Sequence, residues 1–132
     1  KKPLFIVDGA HNAGAADKMA ESIRHYFNGK KLIYIMGVFA DKEYKIVLEK
    51  TAHFAEKIYT IETPDNPRAL PAEELAKAAR VYNSSAESTK SIKDAVEKAF
   101  SCAGDDENSV ILAFGSLSFI GALTNAVEEY VG

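Results

Sequence analysis

Hydrophobic and polar positions follow one another along this chain in blocks whose period keeps changing between strand and helix. Leu4-Phe5-Ile6-Val7 is an unbroken apolar run and reads as a buried strand. Asp8 and Gly9 interrupt it. Asn12 then stands where a helix N-cap belongs, ahead of a stripe made of Ala16, Met19, Ala20, Ile23, Tyr26 and Phe27. Asn28-Gly29 ends that helix. Lys31 to Met36 is a second strand closed by Gly37. Asp41 can cap the helix after it, Glu43 adds charge in its first turn, and Tyr44, Val47, Leu48 and Thr51 line its inner side. Lys57 to Thr60 is a short third strand.

Glu62 to Leu70 is the one long irregular stretch, because Pro64 and Pro67 exclude a helix there. Pro71 at a first helical position opens a helix with Leu75, Ala78, Ala79 and Tyr82 inward. Ala86 to Thr89 reads as a weak fourth strand. Ser91 and Asp94 have capping-box spacing before a helix that turns Ile92, Ala95, Val96, Ala99 and Phe100 inward. After a polar turn at Gly104 to Asn108, Val110 to Phe114 is the clearest strand after the first. Gly115-Ser116 leads straight into a last helix with Phe119, Ile120, Leu123, Ala126, Val127 and Tyr130 on its buried face. Strands and helices in alternation predict an α/β fold, a parallel sheet wrapped on both sides.

A chain of 132 residues is the size of one domain and long enough for its own core. With 16 Lys and Arg against 19 Asp and Glu, the net charge is −3, which argues against nucleic acid as the main partner. Cys102 is the only cysteine, so no disulfide or thiolate cluster forms within the chain, and its place near the end of an apolar stripe reads as a small core filler. No apolar run reaches the roughly 18 residues of a membrane span and no signal-peptide pattern opens the chain, which fits a cytoplasmic location. The chain starts almost directly on a strand. Natural domains seldom do, and a piece cut from a longer protein is expected.

Asp8-Gly9-Ala10-His11-Asn12 and Gly115-Ser116 share a design: small residues where a buried strand hands over to a helix. Such a junction aims backbone N–H groups and the positive end of a helix dipole at whatever lies above it. Glycine lets an anion come close to the backbone. If the first and last strands are neighbours, one crevice holds two such turns, a carboxylate and an imidazole, which suits a nucleotide, a phosphorylated intermediate or an amino-acid carboxylate. Ser116 would donate its hydroxyl to the anion, and Asp8 would hold a ribose hydroxyl or a hydrated metal. Taken singly, each junction reads equally well as a plain turn and helix start. Absences narrow the chemistry. There is no phosphate-gripping Gly-x-x-x-x-Gly-Lys-Ser/Thr loop, no Gly-x-Gly-x-x-Gly after the first strand, no Gly-x-Ser-x-Gly elbow and no metal-ligand histidine spacing. His25 and His53 fall within helical runs and read as surface or half-buried residues.

Four stretches together resemble a known family: Val7-Asp8-Gly9-Ala10-His11-Asn12, Met36-Gly37-Val38-Phe39-Ala40-Asp41-Lys42-Glu43, Asn66-Pro67-Arg68-Ala69-Leu70 and Phe114-Gly115-Ser116-Leu117. In this order and spacing they are similar to the C-terminal domain of folylpolyglutamate synthase/dihydrofolate synthase, in the Mur-ligase group of amide-forming ligases. The resemblance implies a three-layer α/β/α Rossmann-like domain with a mainly parallel sheet of five or six strands. It makes residues 1–132 the C-terminal, glutamate-binding domain of a larger ligase whose N-terminal ATPase domain, with the phosphate loop and Mg2+, lies outside this chain. That enzyme joins L-glutamate to folate or to dihydropteroate through an acyl phosphate, with ATP as the energy source. Neither nucleic acid nor membrane is implied as a partner.

By the family pattern Asp8, Gly9, His11 and Asn12 bind ATP, His11 is the catalytic residue near the phosphates and the incoming glutamate, and His11 and Ser116 hold glutamate. Gly115 belongs with them. Asp41 and Lys42 are frequent family features to which the resemblance assigns no role, and no metal ligand is placed in this domain. Two departures stand out. Ala13 replaces the proline that usually follows the Asp-Gly-Ala-His-Asn run, a tolerable change because proline there only pre-sets the helix. The family's ATP-contacting arginine and an antiparallel strand would fall ahead of Lys1, so these 132 residues are expected to fold without catalysing on their own. Two other classes compete: a free-standing amino-acid or nucleotide binding module, and a receiver-like signalling domain. The latter would want an acidic pair at Asp8 and a lysine after the last strand.

Overall fold

The computed structural model describes residues 4–8, 12–40, 43–115 and 119–132. Along the chain it runs β1 (Leu4–Asp8), α1 (Ala13–Tyr26), β2 (Lys31–Gly37), α2 (Tyr44–Thr51), a short 3-10 turn at Ala52–Phe54, β3 (Lys57–Thr60), α3 (Ala72–Arg80), β4 (Glu87–Ser88), α4 (Ile92–Ala103), β5 (Ser109–Gly115) and α5 (Ile120–Val131). Among the described residues the five strands form one sheet in the order β1-β5-β2-β3-β4, every pair parallel. The α/β reading, the element order and even the weak fourth strand are borne out.

The inner strands expose both faces to helices, so alternate residues feed two cores. Leu32, Tyr34 and Met36 of β2, with Val110, Leu112 and Phe114 of β5, pack under α1, α2 and α3. Ile33, Ile35, Ile111 and Ala113 point the other way, onto α4 and α5. Tyr34 puts a polar atom in the first core, and its hydroxyl donates to the Thr51 carbonyl at 2.6 Å. Burial there drives the phenol pKa far upward, so it stays a neutral donor. The helix starts read from the sequence hold at two sites. Asn12 accepts from the Ala15 N–H at 2.9 Å, and Ser91 accepts from the Asp94 N–H at 3.0 Å.

Four expectations are corrected. β1 is not buried: it is the edge strand, with Leu4 54% and Val7 38% exposed, because only β5 lies beside it. Tyr26, Tyr82 and Tyr130 leave the inner stripes assigned to them. Tyr26 ends α1, Tyr82 lies past the end of α3 and Tyr130 is in the last turn of α5, where a ring can lean on the protein with its hydroxyl in water. Cys102 is half-buried rather than fully enclosed. Pro71 occupies the N-cap of α3, one residue before the helix begins.

Candidate ligand cleft at the carboxyl ends of the strands

The parallel register sets three strand ends level. Asp8 of β1 pairs with Phe114 of β5, Phe114 pairs with Met36 of β2, and Gly115 pairs with Gly37. The turns after the first and last strands therefore leave from neighbouring positions on one edge of the sheet. Their exits diverge. The chain leaves β1 and β2 for α1 and α2 on one face, whereas β5, lodged between them, is followed by α5 on the other. This is a topological switch point, where open α/β sheets leave a crevice for ligands.

Two glycines make the crevice possible, and Gly37 was read from the sequence only as a strand end. Gly115 has φ +119°, and a Cβ on it would lie 2.1 Å from the Gly37 carbonyl oxygen, so the two backbones touch where the exits part. No side chain fits at 115 without moving β2.

Asp8 is half-buried at the mouth of this crevice. The start of α1 is not the open anion site that its small residues predict. The Ala13 N–H donates to Glu43 Oε1 at 3.0 Å and the Ala15 N–H to Asn12 Oδ1 at 2.9 Å. A carboxylate and a carboxamide already occupy these donors, and the negative charge of Glu43 sits at the positive end of the helix. Glu43 is also not in the first turn of α2. It is the N-cap residue there and makes no capping bond to its own helix.

Across β2 the exit is fastened to the irregular loop. Phe39 and Ala69 form an antiparallel bridge, the Ala40 N–H donates to the Arg68 carbonyl at 2.8 Å, and the Leu70 N–H donates to the Val38 carbonyl at 3.0 Å. The Arg68 guanidinium stacks over the Phe39 ring at 4.8 Å. Two of the four resemblance stretches thus form one unit beside the crevice. No local sequence period could have announced it, nor the bond that links Glu43 to a residue 30 positions earlier.

Of the sequence-predicted site residues, the structure brings Asp8, Asn12 and Gly115 to one edge of the sheet. Gly9, His11, Asp41, Lys42 and Ser116 lie outside the described residues, as does the proposed capping of α2 by Asp41. Gly115 does not pass directly into a helix: α5 begins at Ile120, with the fully buried Phe119 as its N-cap residue. His25 and His53 are on the surface. Among the described residues no three His, Cys, Asp or Glu side chains gather as a metal site.

Comparison with known proteins places this architecture. The profile of the family described as "Mur ligase, glutamate ligase domain" matches residues 1–117. This chain belongs to that family. The Mur ligase domain is 29% identical over 126 residues to the dihydrofolate synthase/folylpolyglutamate synthase of Bacillus subtilis (strain 168), which covers 96% of the chain and 28% of that protein. Among solved structures it superposes on Mycobacterium tuberculosis folylpolyglutamate synthase complexed with ADP with a TM-score of 0.81 at 25% identity, over 93% of this chain and 29% of that one. The bifunctional folylpolyglutamate synthase/dihydrofolate synthase of Yersinia pestis, complexed with AMPPNP and Mn, shares the fold, with a TM-score of 0.73 at 21% identity over 94% of this chain and 28% of that one. The Mur ligase domain thus spans under a third of each of these relatives. Among the described residues, no helix is long and apolar enough to cross a membrane.

Proposed function

We propose that this Mur ligase domain is one wall of the active cleft of an ATP-dependent ligase that joins L-glutamate to folate, to dihydropteroate or to both. The observation that carries the reading is the level ending of β1, β5 and β2 at the switch point, which gathers Asp8, Gly115 and Gly37 on one edge. The relatives named above, one complexed with ADP and one with AMPPNP and Mn, supply the substrate class.

The chemistry divides between two domains. The substrate carboxylate attacks the γ-phosphorus of ATP, ADP leaves, and the glutamate amine then attacks the acyl phosphate carbon, forming the amide and releasing phosphate and a proton. Phosphoryl transfer of this kind depends on positioning and electrostatics more than on a strong base. The Glu43 carboxylate at the head of α1 opposes a polyphosphate there, so the triphosphate and its divalent ion, Mg2+ by expectation, belong on the N-terminal ATPase domain. On this side Asp8 accepts from ribose hydroxyls of the nucleotide, Gly9 and Asn12 line the nucleotide, His11 faces the phosphates and the amine, and Ser116 donates to a glutamate carboxylate. Closing the two domains over the substrates excludes water from the acyl phosphate.

The test is a coupled assay of ADP release on the full-length protein and on the 132-residue chain alone. The full-length protein should release ADP only when ATP, glutamate and a folate or pteroate acceptor are all present, and the isolated chain should show no turnover. Ligation by the isolated chain, or release of ADP that ignores glutamate, would refute the assignment.

A further inference from the structure

Glu43 lies outside the set of residues to which the resemblance gives a role, and its placement is unusual. An acid at the N-cap ordinarily serves its own helix, as Ser91 serves α4. Glu43 makes no such bond to α2 and reaches instead to the Ala13 N–H at 3.0 Å. The bond joins the heads of two helices on the same face of the sheet, both at the end where the cleft lies. The segment between Asp8 and Asn12 is consequently anchored twice. Asp8 is held in the ladder opposite Phe114, and the start of α1 is held by Glu43 and Asn12.

We propose that Glu43 is a positioning residue for the nucleotide: it ties the exit of β2 to the head of α1 and so fixes where the turn after Asp8 stands in the cleft. The proposal rests on the ligase reading above. A bond from a carboxylate to a backbone N–H is charge-assisted, yet this one is exposed. Its loss should displace the turn without unfolding the domain.

The experiment compares E43A, E43Q and E43D with the unsubstituted full-length ligase in KM for ATP and in kcat, and follows amide hydrogen exchange at Ala13. E43A should raise KM for ATP by about fivefold, leave kcat within about twofold and speed exchange at Ala13. E43Q keeps an oxygen that can accept from the same N–H and should recover most of the affinity; E43D, a methylene shorter, should not. A purely stabilising residue would lower the active fraction, and with it kcat, while leaving KM alone. KM unchanged in E43A would overturn the proposal, as would an E43Q enzyme as impaired as E43A, because charge rather than the bond would then be responsible. If E43A does not fold, E43D against E43Q decides by the same criteria. An unsubstituted protein with no glutamate-dependent turnover defeats the ligase reading instead, and exchange at Ala13 in E43A and E43Q then judges the tie by itself, unchanged exchange in E43A overturning it.

Discussion

β5 and β1 lie side by side, run in the same direction and end level, yet they hold the cleft by different means. Every residue of β5 from Ser109 to Gly115 is buried, with strands on both sides and helices over both faces. Phe114 closes against Tyr34 edge to face at a centroid distance of 4.9 Å. β1 has one neighbour, its Leu4 and Val7 stand open, and Phe5 reaches the core mainly through Phe100. One wall of the cleft is therefore fixed by the core of the domain. The other is fixed by a single ladder and by the side chains of Asn12 and Glu43. Such a site combines a rigid floor with a margin that a few contacts can reset, which is the arrangement expected where two domains must close on a substrate.

The severest challenge to this contrast is Gly115→Ala. Positive φ and a Cβ directed at the Gly37 carbonyl act together there, and we expect a loss of more than about 3 kcal/mol, read as a fall in the urea midpoint. Gly37→Ala is the milder companion, because the nearest atom it meets is the flexible end of Ile61. Tolerance of alanine at 115 would mean that the floor is not rigid.

Next in size is a paired measurement. Leu112→Ala in the buried centre should cost about 3 kcal/mol, and Leu4→Ala at the edge under about 0.5 kcal/mol, both by chemical denaturation of the 132-residue chain. Equal losses would erase the distinction between floor and margin.

The smallest effect belongs to the opposite edge, where Glu87 of β4 accepts from Lys57 and Lys98, each at 3.0 Å. The two ammonium groups hold its carboxyl below the usual glutamate range. The stabilisation is thus present above the pKa of the unfolded chain and fades as pH falls through the lower folded value. Glu87→Gln should flatten the acid side of the stability curve between about pH 5 and 3, and salt should mask most of the change. If the curve is untouched at low ionic strength, β4 is held by packing alone.

Much of this architecture is local and could be read in advance. Asn12 and Ser91 cap the helices they precede, and β2 and β5 carry apolar runs long enough to be strands whatever surrounds them. What could not be read depends on partners distant in the chain. The run Leu4 to Val7 looks like a centre strand, and only the crossover that places β5 between β1 and β2 reveals it as an edge. The three misplaced tyrosines keep helical period to the end of their helices, but period does not tell where a helix outruns the sheet beneath it. At the cleft, the converging strand ends were foreseen from the two glycine turns. The Glu43 bond was not, because an acid near a helix start has an adequate local explanation.

The bridge between Phe39 and Ala69 has a consequence for engineering. The loop from Glu62 to Leu70 carries at its tip Asp65, with φ +55°, and there a spacer or reporter peptide could be spliced in at little cost to the domain. A single added residue between Arg68 and Leu70 would slip the clasp by one position and drag the end of β2 with it. The same short segment is thus permissive at one end and intolerant at the other, a few residues apart.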